Sequence, residues 1–188
     1  MAVKSSLKNM VLCLTAVCLV CSTLLGVVYV ITEQPIKDAA QKALQESVGK
    51  VLPQGGTLSD KLEASLGGVS YEYYTSLSDN GILGYAVKSS SIGFGGPLVL
   101  MVGVLPDGSV YNTSVLECNE TPGLGAKCNS DESFISQWKG YKGVFKVVKD
   151  GGDVDAITAS TITSRAYAKA VESAVLFVES LKKEAANE

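Results

Sequence analysis

The residues best suited to chemistry are the hydroxyl side chains between Asp155 and Arg165. This stretch, DAITASTITSR, holds five Ser or Thr residues and the only arginine of the 188-residue sequence. Hydroxyl oxygens ahead of a helix accept hydrogen bonds from the free N–H groups of its first turn, so helix capping alone explains the pattern. The same N–H groups and the positive end of the helix dipole also hold a phosphate, with Arg165 as a charge-assisted partner. The stretch alone leaves both interpretations open.

The amino-acid composition excludes several kinds of catalytic and metal-binding site. The sequence contains no histidine, which excludes histidine-dependent nucleophiles, histidine-ligated metal centres and an imidazole switch near neutral pH. Other side chains or a cofactor must therefore supply any reactivity, and we predict no catalytic residue and no metal site in this chain. The formal net charge of -3 provides no basic footprint, so we expect no nucleic-acid partner.

Residues 10–31 carry no charged side chain and are mostly apolar. At about 1.5 Å per residue they make roughly 33 Å of helix, enough to cross a bilayer core. A cleaved signal peptide is the competing interpretation, but its apolar region is shorter and ends at small residues, which VVYVITEQ does not offer. Lys4 and Lys8 precede the run without an acid, so the positive-inside bias places the head, residues 1–9, in the cytoplasm. Residues 32–188 then form one domain outside the cytoplasm, in the periplasm or its equivalent.

The elements that must position the hydroxyl stretch follow from apolar periodicity and turn residues. Pro35 fits the first position of an amphipathic helix that leaves the membrane, and a second short helix is expected at residues 59–66. Strands are predicted at residues 69–77, 82–89, 98–105, 109–116 and 145–148, and a long helix closes the chain from about Ser164. Asp79-Asn80-Gly81 and Pro106-Asp107-Gly108 supply turns between strands. The order indicates an α+β domain with antiparallel strands flanked by helices.

The spacing Asp155-x-x-Thr158-x-x-Thr161, followed by an apolar helix, resembles a known flavinylation motif. The motif belongs to the FMN-binding domain shared by the G subunit of Rnf complexes and the C subunit of the sodium-pumping NADH:quinone reductase. Its pattern is Asp, two residues, Ser or Thr, then Gly-Ala-Thr, and the last Thr bears FMN through a phosphoester bond. The resemblance implies that Thr161 is the acceptor, although Ala159 and Ser160 stand where Gly and Ala are usual. It further implies that the neighbouring hydroxyls contribute to the cofactor site: Thr158, Ser160, Thr163 and Ser164.

A second resemblance lies in Glu120-Thr121-Pro122-Gly123-Leu124-Gly125, which matches the glycine-bearing loop of the same family. Gly84-Tyr85-Ala86 and Trp138-Lys139-Gly140 are similar to segments on either side of that loop. Glycines permit positive φ and close approach of the main chain to a flat ring, which is the physical reason for such a loop. The resemblance implies cofactor-binding roles for Glu120, Thr121, Gly123, Leu124 and Gly125. An ordinary surface turn is the alternative.

Together the two resemblances imply a single-pass electron-relay subunit with covalent FMN. It would serve an Rnf-type ferredoxin:NAD oxidoreductase complex that moves Na⁺ or H⁺, without a complete active site of its own. The implied partners are the membrane, other membrane and peripheral subunits, and a flavin transferase for maturation. Two alternatives remain open: the C subunit of the NADH:quinone reductase, and a membrane-anchored interaction protein without redox chemistry.

Cys118 and Cys128 bracket the glycine-bearing loop. In an oxidising compartment a disulfide between them would stabilise the fold by about 2–3 kcal/mol in the chain-entropy model. Free thiols are the other possibility, and the sequence does not decide between them.

Overall fold

The computed structural model describes residues 6–79 and 81–185, in two compact units that meet in sequence between Lys42 and Ala43. Two sequence features, Lys4 of the basic head and Asn80 of the expected turn, lie outside the described residues. The helices are α1 (Leu7–Val51), α2 (Glu132–Ser136) and α3 (Thr161–Ala185), with short 3-10 turns at Gly125–Asn129 and Val148–Asp150. The strands are β1 (Thr57–Leu58), β2 (Leu62–Leu66), β3 (Val69–Ser78), β4 (Gly81–Ile92), β5 (Pro97–Val104) and β6 (Val110–Cys118).

The first unit is occupied by α1, which is long and apolar enough to cross a membrane. Its apolar side chains are exposed over the predicted span, residues 10–31. The prediction of a separate helix starting at Pro35 is wrong, because α1 continues through this proline. Proline removes one backbone donor, and two side-chain pairs one turn apart bridge the same region. Lys37 Nζ lies 2.7 Å from Glu33 Oε1, and Gln34 Nε2 donates to Asp38 Oδ1 at 2.9 Å.

The second unit is built on an antiparallel sheet in the order β1-β3-β4-β5-β6, with β2 also paired to β3. The four strands expected between residues 69 and 116 are confirmed within a few residues at their ends. The turn between β5 and β6 forms as expected, since Gly108 adopts φ 85° and its N–H donates to the Leu105 carbonyl at 2.9 Å. The α+β prediction is confirmed.

Two local predictions are wrong. Residues 59–66 form no helix; residues 62–66 form β2, which pairs with β3 and turns Ala64 and Leu66 inward at the strand period of two. The strand expected at residues 145–148 is reduced to a single bridge between Val147 and Val154, followed by a 3-10 turn. Short apolar runs do not distinguish strands from helices or loops by periodicity alone.

Both faces of the sheet are covered. On one face α3 buries Tyr167, Val171 and Phe177 against strand residues such as Val87 and Leu100. On the other, the carboxyl-terminal end of α1 packs Val48, Val51 and Leu52 against Ala86 and Met101. Tyr167 also donates its hydroxyl hydrogen to Thr113 Oγ1 at 2.8 Å, and burial raises its pKa. These contacts fix the position of α3, and with it the hydroxyl stretch at its start.

Candidate functional site

A cavity of about 370 Å³ opens beside the first turn of α3. Its volume falls within the range typical of small-molecule sites, roughly 300–1,000 Å³. Three separate parts of the chain line it: the β4–β5 turn, the loop after β6 and the start of α3. The lining residues are Phe94, Glu120, Thr121, Leu124, Gly125, Ala159, Ser160, Thr161, Ile162 and Thr163.

Three of the exposed side chains that line this cavity are large and apolar. Phe94, Leu124 and Ile162 come from the three parts of the chain, and their side chains are 72%, 43% and 51% exposed. Large apolar side chains that rim a cavity with a few polar groups inside are typical of a binding site for a flat, partly apolar ligand.

Glu120 joins the three parts. It is buried, and its Oε1 accepts hydrogen bonds from the backbone N–H groups of Phe94 at 2.8 Å and Gly95 at 3.4 Å. Its Oε2 accepts the hydroxyl hydrogen of Thr163 at 3.0 Å. A buried carboxylate needs such donors, and Glu120 therefore holds the β4–β5 turn and α3 at fixed positions beside the cavity.

The glycine-bearing loop is fitted closely around this carboxylate. A side chain at Gly125 would meet Glu120 Oε2 and Thr163 Oγ1 at 2.6 Å, which is closer than a Cβ atom can approach. Gly123 has φ 77° and open space around it, and it does not line the cavity. The two glycines thus act differently: Gly125 permits close packing and Gly123 permits the turn.

The hydroxyls of the α3 stretch divide into two groups. Thr163 and Ser164 are buried, and Ser164 Oγ accepts from the Ile157 N–H at 2.9 Å while donating to the Ser160 carbonyl at 3.0 Å. Thr158 is exposed, and Thr161 is partly exposed. Ser160 is buried at the position before the helix, where its carbonyl also accepts from the Ser164 N–H at 3.0 Å. The buried hydroxyls therefore hold the stretch in place, and Thr161 remains reachable from the cavity.

Ala159 is the one non-glycine residue with positive φ in the part of the chain that the structure describes. Its φ of 62° lies in the left-handed region, which costs a residue with a Cβ atom about 1–2 kcal/mol. This is the position at which the flavinylation motif normally carries glycine. Ala159 therefore adopts the backbone conformation that glycine would adopt freely at this position, and the cost is local strain.

A second cavity, of about 360 Å³, shares Ala159 and Thr161 with the first. Asp155, Thr158 and Lys149 contribute its polar lining, and Lys149 Nζ lies 3.5 Å from Thr161 Oγ1. Thr161 lines both cavities, the first with large apolar side chains and the second with the cation of Lys149. The first N–H groups of α3 lack partners within the helix and add positive potential at the same place.

The guanidinium group of Arg165 pairs with Asp150. Its Nε and Nη2 each lie 2.6 Å from an oxygen of Asp150, forming a bidentate pair that lowers the pKa of the carboxyl and raises that of the guanidinium. The cation placed beside Thr161 is Lys149 instead. Sequence reasoning missed Lys149, Phe94 and Ile162. The glycine-rich sequence around Phe94, IGFGGP, indicated a turn, whereas Lys149 lies in a loop without any recognisable motif.

Apart from Gly123, which lines neither cavity, the sequence-predicted residues lie around Thr161, with differing exposure. Thr121, Leu124, Gly125, Ser160 and Thr163 line the first cavity with Glu120, Thr158 lines the second, and Ser164 supports the turn from below. Their roles towards a cofactor stay predictions. Among the described residues, no group of three or more Cys, Asp or Glu side chains is placed to hold a metal ion.

Comparison with known protein families identifies the class of protein to which this site belongs. A family model described as the FMN-binding domain matches residues 93–176, the segment from the β4–β5 turn through most of α3. The G subunit of the proton-translocating ferredoxin:NAD(+) oxidoreductase complex of Clostridium ljungdahlii is 35% identical over 166 residues, covering 86% of each chain. This chain belongs to the family of G subunits of ion-translocating oxidoreductase complexes, as its two motifs indicated.

Other relatives differ in name and in extent. The G subunit of the Na(+)-translocating ferredoxin:NAD(+) oxidoreductase complex of Acetobacterium woodii is 32% identical over 60% of this chain and 57% of its own. Among solved structures, the C subunit of the Na(+)-translocating NADH-quinone reductase of Parabacteroides distasonis is 25% identical, covering 67% of this chain and 76% of that one, with a TM-score of 0.47. The family assignment rests on the relatives that are G subunits.

Proposed function

We propose that this chain carries FMN, esterified to Thr161, as an electron-relay subunit of an Rnf-type complex that couples ferredoxin:NAD⁺ oxidoreduction to ion translocation. The position of Thr161 carries the proposal, because its hydroxyl lies where an apolar cavity, a cation and a helix amino terminus meet. The relatives named as G subunits support the complex. They include one proton-translocating and one Na⁺-translocating example, so the proposal does not fix the coupling ion.

The residues present fit the ring and the phosphate of FMN. Phe94, Leu124 and Ile162 offer an apolar surface for the ring, and Lys149 with the first turn of α3 would compensate the charge of a phosphate. Bound FMN would supply the one- and two-electron chemistry that the side chains of a histidine-free domain lack. Glu120, Thr163 and Ser164 act as positioning residues that hold the cavity walls. Thr161 serves as an attachment point and takes no part in turnover.

A covalent bond suits a domain outside the cytoplasm, because occupancy then does not depend on free FMN. We propose that α1 anchors the chain in the cell membrane with its amino terminus in the cytoplasm and the domain outside, and that a flavin transferase loads Thr161. A carboxyl-terminal fusion to alkaline phosphatase, which folds only outside the cytoplasm, should be active. An inactive fusion on a membrane-inserted, flavin-bearing chain would reverse the orientation.

The covalent cofactor is tested by denaturing the full chain purified from its own membrane. We expect flavin fluorescence to stay with the protein band, and the intact mass to exceed that of the bare chain by one FMN less one water. Flavin that is released completely on denaturation would show a bound but unattached cofactor and remove the ester. Protein that carries no flavin before denaturation would remove the relay function itself.

A further inference from the structure

Cys118 and Cys128 lie next to each other behind the glycine-bearing loop. Cys118 ends β6 and is half-buried, whereas Cys128 sits in the 3-10 turn that follows the loop and is fully buried. Both are thiols in this structure, with their Sγ atoms 3.7 Å apart in a weak S–H···S contact. The other three cysteines lie in α1 within the apolar segment. Cys118 and Cys128 are therefore the pair whose side chains face one another.

The backbone on each side holds this approach. Cys118 is paired to Leu98 in the sheet, so β5 fixes its position. Cys128 is fixed by the bonds around its turn, where the N–H groups of Ser130 and Asp131 donate to the Lys127 carbonyl at 3.0 and 2.8 Å. A disulfide needs an S–S distance of about 2.05 Å, so side-chain rotation must close about 1.7 Å. We infer that Cys118 and Cys128 form an intramolecular disulfide in the mature protein.

The bond would act on the walls of the candidate site. The segment it closes, residues 119–127, includes Glu120, Thr121, Leu124 and Gly125, all of which line the cavity beside Thr161. One end of this segment is already held by β6, and the disulfide would hold the other end to the same strand. Glu120 would then be kept at the position from which it accepts hydrogen bonds from Phe94 and Thr163. This gives the cysteine pair a role in the shape of the cavity rather than in electron relay.

The oxidation is balanced by thiol–disulfide exchange and rests on the extracytoplasmic location proposed above. Two S–H bonds are lost and one S–S bond forms, and the two electrons and two protons pass to the disulfide of an exported thiol oxidase, which becomes a dithiol. The thiolate of one cysteine attacks the oxidase and forms the mixed disulfide, and the thiolate of the other cysteine then displaces the oxidase. Burial raises the pKa of Cys128 to about 12, with Cys118 adding to the effect, so its thiolate is scarce once the fold is complete. The exchange therefore belongs to the folding stage, before Cys128 is buried.

Trypsin makes the pair easy to examine, because Lys127 separates the two cysteines. Cleavage gives one peptide of residues 89–127 with Cys118 and another of residues 128–139 with Cys128. The full chain is purified from its native membrane, unfolded with iodoacetamide present and no reductant, and digested. We expect the two peptides to be joined, lighter than their sum by two hydrogens, and to separate with both cysteines alkylated only after reduction. Two separate alkylated peptides without reduction would overturn the inference.

A second measurement tests whether the disulfide stabilises the folded protein. Thermal unfolding is followed with and without reductant for the wild type and for Cys118→Ala, which changes the half-buried partner and spares the core position of Cys128. Reductant should lower the Tm of the wild type and leave that of the variant unchanged. An equal response in both proteins would contradict the inference. Flavin fluorescence is read from the same samples: flavinylated protein with free thiols removes the disulfide alone, and a cross-linked chain without flavin removes the proposed function alone.

Discussion

The buried and exposed hydroxyls at the start of α3 have the same chemistry and different tasks. Thr163 and Ser164 point into the domain, where their hydroxyls bond to Glu120, Ile157 and Ser160. Thr161, two residues away from Thr163, lines two cavities and retains solvent access. In a helix, successive residues are turned by about 100°, so neighbours in sequence face different surroundings. Burial therefore separates the residues that hold this site from the one available for modification.

The sharpest way to break this comparison is Thr161→Val. The substitution keeps the shape of the side chain and removes its oxygen, so we expect complete loss of covalent flavin with little change in the free energy of unfolding. In-gel flavin fluorescence and thermal unfolding measure the two effects. Thr57→Val is the matched control, since Thr57 is an exposed threonine of β1 that belongs to neither motif and lines neither cavity, and it should keep the flavin. Covalent flavin retained by the Thr161 variant would show that another hydroxyl is the acceptor.

Thr163→Val should show the reverse behaviour. Glu120 Oε2 would lose its Thr163 donor inside the domain, and removing one partner from a buried charged group costs about 1–3 kcal/mol. We expect a lower free energy of unfolding in urea, with flavin still attached to the molecules that fold. A variant as stable as the wild type would mean that the Glu120–Thr163 bond does not hold the two walls together.

Ala159 lies between the exposed Thr158 and the buried Ser160. Replacing it should change the free energy of unfolding less than Thr163→Val does, and in the stabilising direction. Glycine should relieve the positive-φ strain and lose more backbone entropy, for a net stabilisation of roughly 0.5–1 kcal/mol. Ala156→Gly, at a position without positive φ, should only destabilise. Thermal unfolding of both variants decides the matter. If both lose stability by the same amount, Ala159 carries no strain.

The smallest effect is expected at Asp150, whose pair with Arg165 is exposed. Because the Arg165 hydrogen bond lowers the pKa of Asp150, the pair stabilises the fold above the ordinary pKa of an aspartate, about 3.9. This contribution disappears as the pH falls through the lowered pKa. Asp150→Asn should thus be slightly less stable than the wild type at neutral pH and equal to it at strongly acidic pH. Asp153→Asn controls for the loss of one negative charge in the same loop, and an identical pH profile would assign the effect to net charge.

Sequence patterns predicted the central sheet and α3 because long alternating or helical periods are strong signals. The hairpins held by Gly81 and Gly108 were equally readable, since both turns need positive φ. Pro35 was misleading, because the local preference of proline for helix starts does not prevent α1 from continuing through it. The helix predicted at residues 59–66 is wrong for a different reason, since pairing with β3 is a tertiary contact that the local sequence does not encode.

The candidate site shows the same division. Thr161 and the loop from Glu120 to Gly125 could be singled out through resemblance. Thr161 and four residues of the loop line one cavity, and their roles towards FMN stay predictions. The separation of hydroxyls into buried and exposed was not predictable, because it depends on how α3 is seated on the sheet. Lys149 was likewise hidden, since only the fold brings it to Thr161 from the loop before the motif.

The attachment of FMN to Thr161 is tested most directly by peptide mass spectrometry of the full chain matured in its own host. Cleavage after Lys149 and Arg165 yields one peptide, residues 150–165, that contains all five hydroxyls of the stretch. Fragmentation should place a single FMN phosphoester on Thr161 and leave the other four hydroxyls bare. The same modification on Thr158, Ser160, Thr163 or Ser164, or an unmodified peptide from flavin-bearing protein, would contradict the account.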